Sequence, residues 1–338
     1  MSVRIGRQTI SLDRAVNITE SFSCVGSKES RGPLRDKFDI CLNDDKWGET
    51  SFEKCERKMF KCALHGCLHK AQIDYLEVDA LLAGDLLNQT ISASFSALDF
   101  DGSHIGMYGA CSTMAESLAV GSCMIDGGSL NRAICMTGSH FCTAERQYRM
   151  PLDMGTQKTP SAQTTVTGVG AMLIGGNDNG AAISSVTFGK VVDLGISDAN
   201  NMGAAMAPAA ASTIAEHLKA TGKSVDEYDL VITGDLGKLG TKLTNEILRE
   251  QGINLGDRLV DCGCCIFSED QDPHMGGSGC GCSAVVMSSH FIPMVKSGEI
   301  KRILFVATGA LLSLTSSMQG DNIPSVAHAV EIFYTGDK

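Results

Sequence analysis

One cysteine in this chain is placed where a thiol can do chemistry. Cys111 follows Gly109-Ala110 and precedes Ser112, at the start of a predicted amphipathic helix in residues 108–118. The dipoles and free N–H groups of a first helical turn favour negative charge, so they lower a thiol pKa or hold an anionic oxygen of a ligand. Cys111 and Ser112 are therefore candidates either for nucleophilic catalysis or for anion binding.

Four other side chains offer polar chemistry. His274 stands just before a Gly-Gly-Ser-Gly run, where backbone can approach a ligand closely, and is either a pocket donor or base or an exposed loop histidine. His140 follows a predicted buried strand and either faces the Cys111 pocket or is a satisfied structural histidine. Arg146 and Arg149 offer the bidentate contacts that a carboxylate prefers, although solvation is the commoner fate of a lone arginine.

Composition bounds the class of protein. The chain has 338 residues, 43% hydrophobic and 20% charged, which predicts a globular protein with a sizeable core. A formal net charge of −11 without a long Lys/Arg run argues against binding to nucleic acid or directly to an anionic membrane. The sequence shows neither a signal peptide nor a membrane-spanning segment, so we expect a soluble chain. Its 14 cysteines are then expected to be free thiols in a reducing compartment.

The elements that must position these residues occur twice, in the same order. Buried strands ending in Gly-Asp are predicted at 78–86 and 228–236, an offset of 150 residues. Cys-Ser helix starts at 111 and 282, and buried strands ending in Thr-Gly at 131–138 and 301–309, share an offset of 171 residues. A last strand follows in each half, at 166–174 and 325–333. Such a duplication predicts that the two Cys-Ser helices approach a shared pocket.

Helices alternate with these strands. Helical stretches at 52–71 and 205–220 precede the two Gly-Asp strands, and this alternation predicts an α/β architecture. The offset between the two repeats grows from 150 residues at the Gly-Asp strands to 171 residues at the Cys-Ser helix starts. This change predicts 21 additional residues in the second half, within 249–279. We place the halves at 1–180 and 181–338.

The quoted motifs resemble a known family. A duplicated α/β chain with a cysteine at a helix start is similar to the thiolase and ketoacyl synthase superfamily. Within it, the chain most resembles the stage V sporulation protein AD family of spore-forming bacteria, over nearly its whole length. The segments that carry this resemblance are 108–118, 138–141, 145–151, 165–168, 272–286 and 306–313.

The resemblance implies fold, ligand and partners together. It implies a thiolase-like five-layered αβαβα fold. It also implies the family's role, which is binding of pyridine-2,6-dicarboxylate (dipicolinate) and its uptake into the developing spore. Implied partners are dipicolinate, the small integral membrane stage V sporulation proteins AC and AE, and a second copy in a homodimer. The chain is then expected at the forespore inner membrane only through those partners.

The fold and the function implied by the resemblance are separable. Members of the family are regarded as thiolase-like binding proteins rather than proven catalysts, and the condensing motifs His-Gly-Thr-Gly-Thr, Asn-Gly-Gly and Gly-His-Pro do not occur here. Gly234-Asp235 and the His274 loop stand in the equivalent region. The alternative is an active thiolase-type or ketoacyl-synthase-type acyltransferase with Cys111 as nucleophile. A third possibility is a purely structural scaffold for a membrane channel.

The patterns and the resemblance together give one set of candidate residues. Cys280 resembles the second cysteine loop of the superfamily and is expected to project into the pocket, whereas Cys282 is assigned to the helix start. Zinc binding by the cysteines at 262–265 and 280–282 is an alternative to buried thiols. No cofactor is expected, apart from calcium that could accompany the ligand. The candidate ligand-binding residues are Cys111, Ser112, His140, Arg146, Arg149, Asp235, His274, Gly277 and Cys280.

Overall fold

Each half of the chain builds one mixed sheet with its own helices. The structure is a computed structural model and describes residues 2–148, 158–176 and 178–336. The strands of the first half are β1 (Val3–Arg4), β2 (Thr9–Val25), β3 (Ile40–Cys41), β4 (Ala80–Asp85), β5 (Ser103–Gly106), β6 (Arg132–Ser139), β7 (Thr164–Thr165) and β8 (Gly168–Gly175). Its helices are α1 (Phe52–Ala71), α2 (Ile91–Ser96), α3 (Thr113–Asp126) and α4 (Phe141–Tyr148).

The second half repeats this order of elements. Its strands are β9 (Ala181–Phe188), β10 (Leu230–Thr233), β11 (Leu259–Asp261), β12 (Gly277–Ser278), β13 (Arg302–Ala310) and β14 (Ser325–Tyr334). Its helices are α5 (Met202–Thr221), α6 (Gly237–Glu250), α7 (Cys262–Cys265), α8 (Cys280–Val286), α9 (Ile292–Lys296) and α10 (Leu314–Met318), with a π-helical turn, Met287–Phe291, between α8 and α9. The predicted boundary at 180/181 falls between β8 and β9.

The two sheets have the same topology. The strand order is β2-β8-β6-β4-β5 in one and β9-β14-β13-β10-β11 in the other. In each, the first two pairs are antiparallel and the last two are parallel. The long strand β2 joins them, because its beginning pairs with β9 and its end with β8. The predicted duplication is therefore confirmed.

Helices fill the space outside and between the sheets. The helix α1 packs on β2, β8 and β6, whereas α5 packs on β13 and β14 with α6 beside it. The central helix α3 contacts strands of both sheets, and α8 lies beside it. The strands β4 and β6 are covered on both faces. Their sequences are therefore mainly apolar, without the alternation of apolar and polar residues that a half-exposed strand shows. The result is the predicted thiolase-like αβαβα arrangement of five layers.

Equivalent hydrogen bonds recur in the two halves. The Asp79 carboxylate accepts from the backbone N–H groups of Asn131 and Arg132, at 2.6 and 3.0 Å. The Asp229 carboxylate accepts in the same way from Lys301 and Arg302, at 2.7 and 2.9 Å. In each half the contact fixes the start of a central strand, so the duplication extends to side-chain detail.

The halves differ at one buried charge. Glu331 on β14 is fully buried and its carboxylate lies 2.5 Å from the Lys223 ammonium. The same carboxylate accepts from the Tyr228 hydroxyl at 2.9 Å and contacts the guanidinium of Arg302. Burial alone raises a carboxyl pKa, but hydrogen bonds from His217 and Lys223 outweigh it and hold the pKa of Glu331 well below its ordinary value. This network ties α5 to two strands of the second sheet.

The excess of the second half lies between β10 and α8, so it begins before the predicted range of 249–279. The helix α6 has 14 residues, whereas α2 in the first half has 6. The remainder forms α7 and the loop that carries His274. None of the helices in the described part of the chain is long and apolar enough to span a bilayer.

Candidate functional site

Cys111 sits on a sharp turn between β5 and α3. Ala110 has a φ of 51°, in the left-handed region that costs free energy for a residue with a Cβ. The end of β13 holds this turn in place, since a Cβ on Gly309 would come within 2.0 Å of the Gly109 carbonyl oxygen. The cysteine is thereby fixed at the head of a central helix, as the sequence predicts.

The N–H groups of this turn are already used. The backbone N–H of Ser112 donates to the Gly109 carbonyl at 3.0 Å, and that of Thr113 donates to Ala110 at 3.3 Å. The Ser112 hydroxyl also donates to Gly109, at 2.6 Å, and its side chain is buried. These two N–H groups are therefore not directed at a ligand. They do not contribute to the anion binding that the sequence predicts for this helix start.

Cys111 lines a narrow cavity between the two central helix starts. Its empty volume is about 460 Å³ when the open space at its mouth is included, and the centres of water molecules can reach about 40 Å³ of it. Ser278 and Gly279 approach from the second half, so the prediction that both helix starts meet at one pocket is confirmed. The walls are mostly apolar and are formed by Leu86, Tyr108, Ala110, Cys111, Ala144, Glu145, Tyr148, Thr165, Met202, Ser278, Gly279, Ala310 and Leu312.

Asp235 lies beside Cys111, behind the cavity wall. It is 1% exposed, and its Oδ2 accepts from the Gly279 N–H at 2.8 Å and from the Ser278 hydroxyl at 3.2 Å. Its other oxygen, Oδ1, has no conventional hydrogen-bond partner among the described residues. Burial raises the pKa of the Asp235 carboxyl to about 7, against the opposing effect of the Cys111 thiol and the Gly279 N–H.

The same environment disfavours a thiolate. Burial, and after it the nearby Asp235 carboxylate, raise the pKa of the Cys111 thiol well above its ordinary value. A condensing enzyme needs a base that generates the thiolate, but the titratable group placed here is a carboxyl whose charge opposes it. The arrangement keeps Cys111 neutral.

Two tyrosines supply the polar edge of the cavity. The hydroxyls of Tyr108 and Tyr148 are 3.1 Å apart, and the Tyr148 hydroxyl donates to the Leu86 carbonyl. On the opposite side the Thr165 hydroxyl donates to Glu145 Oε1 at 2.9 Å. Both tyrosines and Glu145 lie in segments that carry the family resemblance, but no sequence pattern assigns them to a site.

Two of the predicted residues, His140 and Arg146, do not line this cavity. His140 is buried and structural: its Nε2 bonds to the Asp45 carbonyl at 2.8 Å, and its Nδ1 accepts from the Cys142 N–H at 3.2 Å. Arg146 is exposed and pairs with Glu53 at 2.5 Å. Arg149 lies outside the described residues.

The glycine-rich loop is also placed differently from the prediction. The helix α8 begins at Cys280, and the Cys280 thiol donates to the Gly138 carbonyl at 2.9 Å. Cys280 therefore packs behind the cavity rather than projecting into it. Gly277 forms β12 against β7 and presents its carbonyl to Gln163 at 3.0 Å. His274 lines a different, polar cleft.

Metal ligation has no geometric support in the described ranges. Across residues 2–148, 158–176 and 178–336, no three His, Cys, Asp or Glu side chains are grouped so as to hold a metal ion. Of the cysteines considered for zinc, Cys262 is buried and Cys264 is exposed.

Buried carboxyls make stability depend on pH. Burial raises the pKa of Glu29 and of Asp235 to about 7, so between about pH 4.5 and 7 the folded chain keeps protons that the unfolded chain releases. The free energy of unfolding should therefore fall as pH rises through this window, by at most about 1.4 kcal/mol per pH unit for each group. Urea unfolding at pH 5, 6 and 7 measures the slope.

Matched variants identify the groups responsible. Glu29→Gln should make the slope shallower between pH 5 and 7, whereas Glu299→Gln, at an exposed position, should leave it unchanged. A Glu29→Gln protein with the wild-type slope would show that the Glu29 carboxyl titrates in its ordinary range.

Comparisons with known proteins agree with this architecture. The model of the family "Stage V sporulation protein AD (SpoVAD)" matches residues 6–333. The chain is 43% identical over 325 residues to stage V sporulation protein AD of Bacillus subtilis (strain 168), covering 96% of each chain.

Solved structures show the fold alone. A variant of OleA from Xanthomonas campestris matches with a TM-score of 0.62 at 15% identity, over 96% of this chain and 99% of that one. The 3-oxoacyl-[acyl-carrier-protein] synthase III of Aquifex aeolicus matches with a TM-score of 0.56 at 14% identity, over 94% and 100% of the two chains. With the family match spanning almost its whole length, this chain belongs to the stage V sporulation protein AD family.

Proposed function

We propose that this protein binds dipicolinate in the Cys111 cavity and supports its uptake into the developing spore, without turning over an acyl substrate. The observation that carries the proposal is the buried contact between Cys111 and Asp235. This contact keeps the Cys111 thiol in its neutral form, although the cavity at the head of the helix is retained. Membership of a sporulation family supports a ligand of the spore rather than a metabolic acyl group.

The cavity has the chemistry of a site for a flat aromatic acid. Leu86, Ala144 and Leu312 offer apolar surface to a ring, and the Tyr108 hydroxyl can donate to a carboxylate, since the Tyr148 proton is used by the Leu86 carbonyl. Asp235 lies behind the wall and does not contact the ligand, but its ionised form repels a carboxylate in the cavity and its protonated form does not. Binding of the dianion should therefore favour the protonated form of Asp235.

Titration calorimetry with dipicolinate tests the proposal. Because the Asp235 pKa is about 7 and the ligand's carboxylates are ionised at both pH values, affinity should be roughly tenfold higher at pH 6 than at pH 8. Asp235→Asn should remove this difference. The matched control is Asp257→Asn, at an exposed position, which should retain it. Titrations with and without calcium decide whether the metal accompanies the ligand.

Other outcomes would favour the other two functions. A mass increase on Cys111 after incubation with an acyl-CoA would identify an acyltransferase. Absence of dipicolinate binding at both pH values would leave a scaffold for membrane proteins.

Partners follow from the same proposal. We expect the chain to reach the forespore membrane through the stage V sporulation proteins AC and AE. A homodimer could form through β5, an edge strand whose residues are mostly exposed, flanked by Leu98 and Tyr108, which are 75% and 48% exposed. Sedimentation of the purified chain measures its oligomeric state.

A further inference from the structure

A second, polar cleft lies across a thin wall from the Cys111 cavity. Its empty volume is about 1210 Å³, and Thr165 lines both spaces. The cleft is formed by Ser27, Lys28, Glu29, Arg31, Asp45, Phe141, Lys158, Thr164, Thr165, Thr167, Asp272 and His274.

The two spaces differ in charge. No lysine, arginine or histidine is among the described residues that line the cavity, whereas the cleft is lined by Lys28, Arg31, Lys158 and His274. Its acidic members are Glu29, Asp45 and Asp272, so the cations exceed the anions once Glu29 is protonated. The basic side chains around the two spaces therefore lie in the cleft.

Two of these cations lack a carboxylate partner. In the described part of the chain, neither Lys28 nor Arg31 forms an ion pair. The Lys28 ammonium lies 5.0 Å from the centre of the Phe267 ring and is half-buried. Burial lowers the pKa of Lys28 in spite of Glu29 and Asp272 nearby, so an incoming anion would stabilise its charged form.

The Glu29 carboxyl, at the same cleft, has an oxygen without a hydrogen-bond partner within the described ranges. It is 1% exposed, and its Oε1 accepts from the Thr167 N–H at 3.0 Å. Its Oε2 is buried and has no partner among the described residues. A buried polar atom without a partner is costly, and a protonated Oε2 would become satisfied by donating to an anion.

The wall between the two spaces is an ion pair. Lys158 faces the cleft and its ammonium lies 3.7 Å from Glu145 Oε1, while Glu145 lines the cavity. Thr165 donates to the same oxygen at 2.9 Å. A carboxylate arriving in the cleft therefore meets Lys158 next to the cavity.

We propose that this cleft is a separate binding site for small dicarboxylates, held by Lys28, Arg31 and Glu29 beside the cysteine cavity. The inference rests on the proposed function for the identity of the ligand. Two carboxylates suit two unpaired cations, so a dicarboxylate should bind at least about tenfold more tightly than a monocarboxylate.

NMR of the histidine rings of the full chain tests this site directly. The His274 resonance, assigned with His274→Gln, should shift saturably on titration with dipicolinate. It should shift equally in Leu312→Trp, a variant that fills the cysteine cavity. Lys28→Gln/Arg31→Gln should weaken the response about tenfold or more, whereas Arg35→Gln/Lys242→Gln, at exposed positions, should not.

Three results would overturn the inference. They are no shift of His274, a shift that Leu312→Trp abolishes, and equal affinity for benzoate and dipicolinate. If calorimetry detects no cavity site while His274 still responds through Lys28 and Arg31, the proposed cavity function fails and the cleft stands.

Discussion

Leu312→Trp is expected to lower the affinity of the cavity for dipicolinate by about 100-fold or more, equivalent to about 2.7 kcal/mol. Leu312 lines the cavity and is only half-buried, so the larger ring can enter the empty space without overpacking the core. Calorimetry at pH 6, where Asp235 is mostly protonated, gives the strongest wild-type signal for the comparison.

The control is a tryptophan placed away from the cavity. Leu194 is 67% exposed, and Leu194→Trp should bind dipicolinate as the wild type does. Thermal unfolding of both variants checks that they remain folded. Unchanged affinity in a folded Leu312→Trp protein would exclude the Cys111 cavity as the binding site.

Glu331→Gln is expected to destabilise the fold by about 3 kcal/mol, because it removes the charge of a fully buried carboxylate that is bonded to two half-buried cations. Lys223 lies 2.5 and 2.6 Å from the two carboxylate oxygens, and Arg302 contacts the same group. The amide has nearly the same shape, so the loss measures charge rather than packing. Urea unfolding at pH 7 provides the free energy.

The first half offers a matched control. Arg132 begins β6 as Arg302 begins β13, but it pairs with Glu77, whose side chain is 49% exposed, at 3.0 Å. Glu77→Gln should cost less than about 1 kcal/mol, because solvent screens the pair. If the two variants lose similar amounts of unfolding free energy, the burial of Glu331 does not determine how much its charge contributes to stability.

Most of the fold could be predicted because its signals are local. The helix predicted at 52–71 has those bounds in the structure, since Ser51 caps its start and Gln72 ends it in a left-handed conformation. The strands predicted at 131–138 and 301–309 are observed at Arg132–Ser139 and Arg302–Ala310. Apolar runs and turn residues suffice for such elements.

The site was predicted only in part. The repeat positions of Cys111 and Cys282 predict a shared pocket, and the structure places Asp235 beside Cys111 there. His140 instead bonds to the Asp45 carbonyl, 95 residues away in the chain, and Cys280 donates its thiol to Gly138; neither contact depends on a sequence pattern. The cavity tyrosine Tyr148 and the cleft residue Lys28 carry no motif, so only their spatial neighbours identify them.

The sequence by itself determined the α/β class, the duplication and the placement of Cys111 at a helix start, because periodicity, turns and repeats are written along the chain. Only the tertiary structure decided that Asp235 faces this cysteine and that the basic groups lie in a separate cleft. The burial of a thiol and the charges around it depend on segments that are far apart in the chain. Burial and charge decide whether the thiol acts as a nucleophile or only lines a cavity.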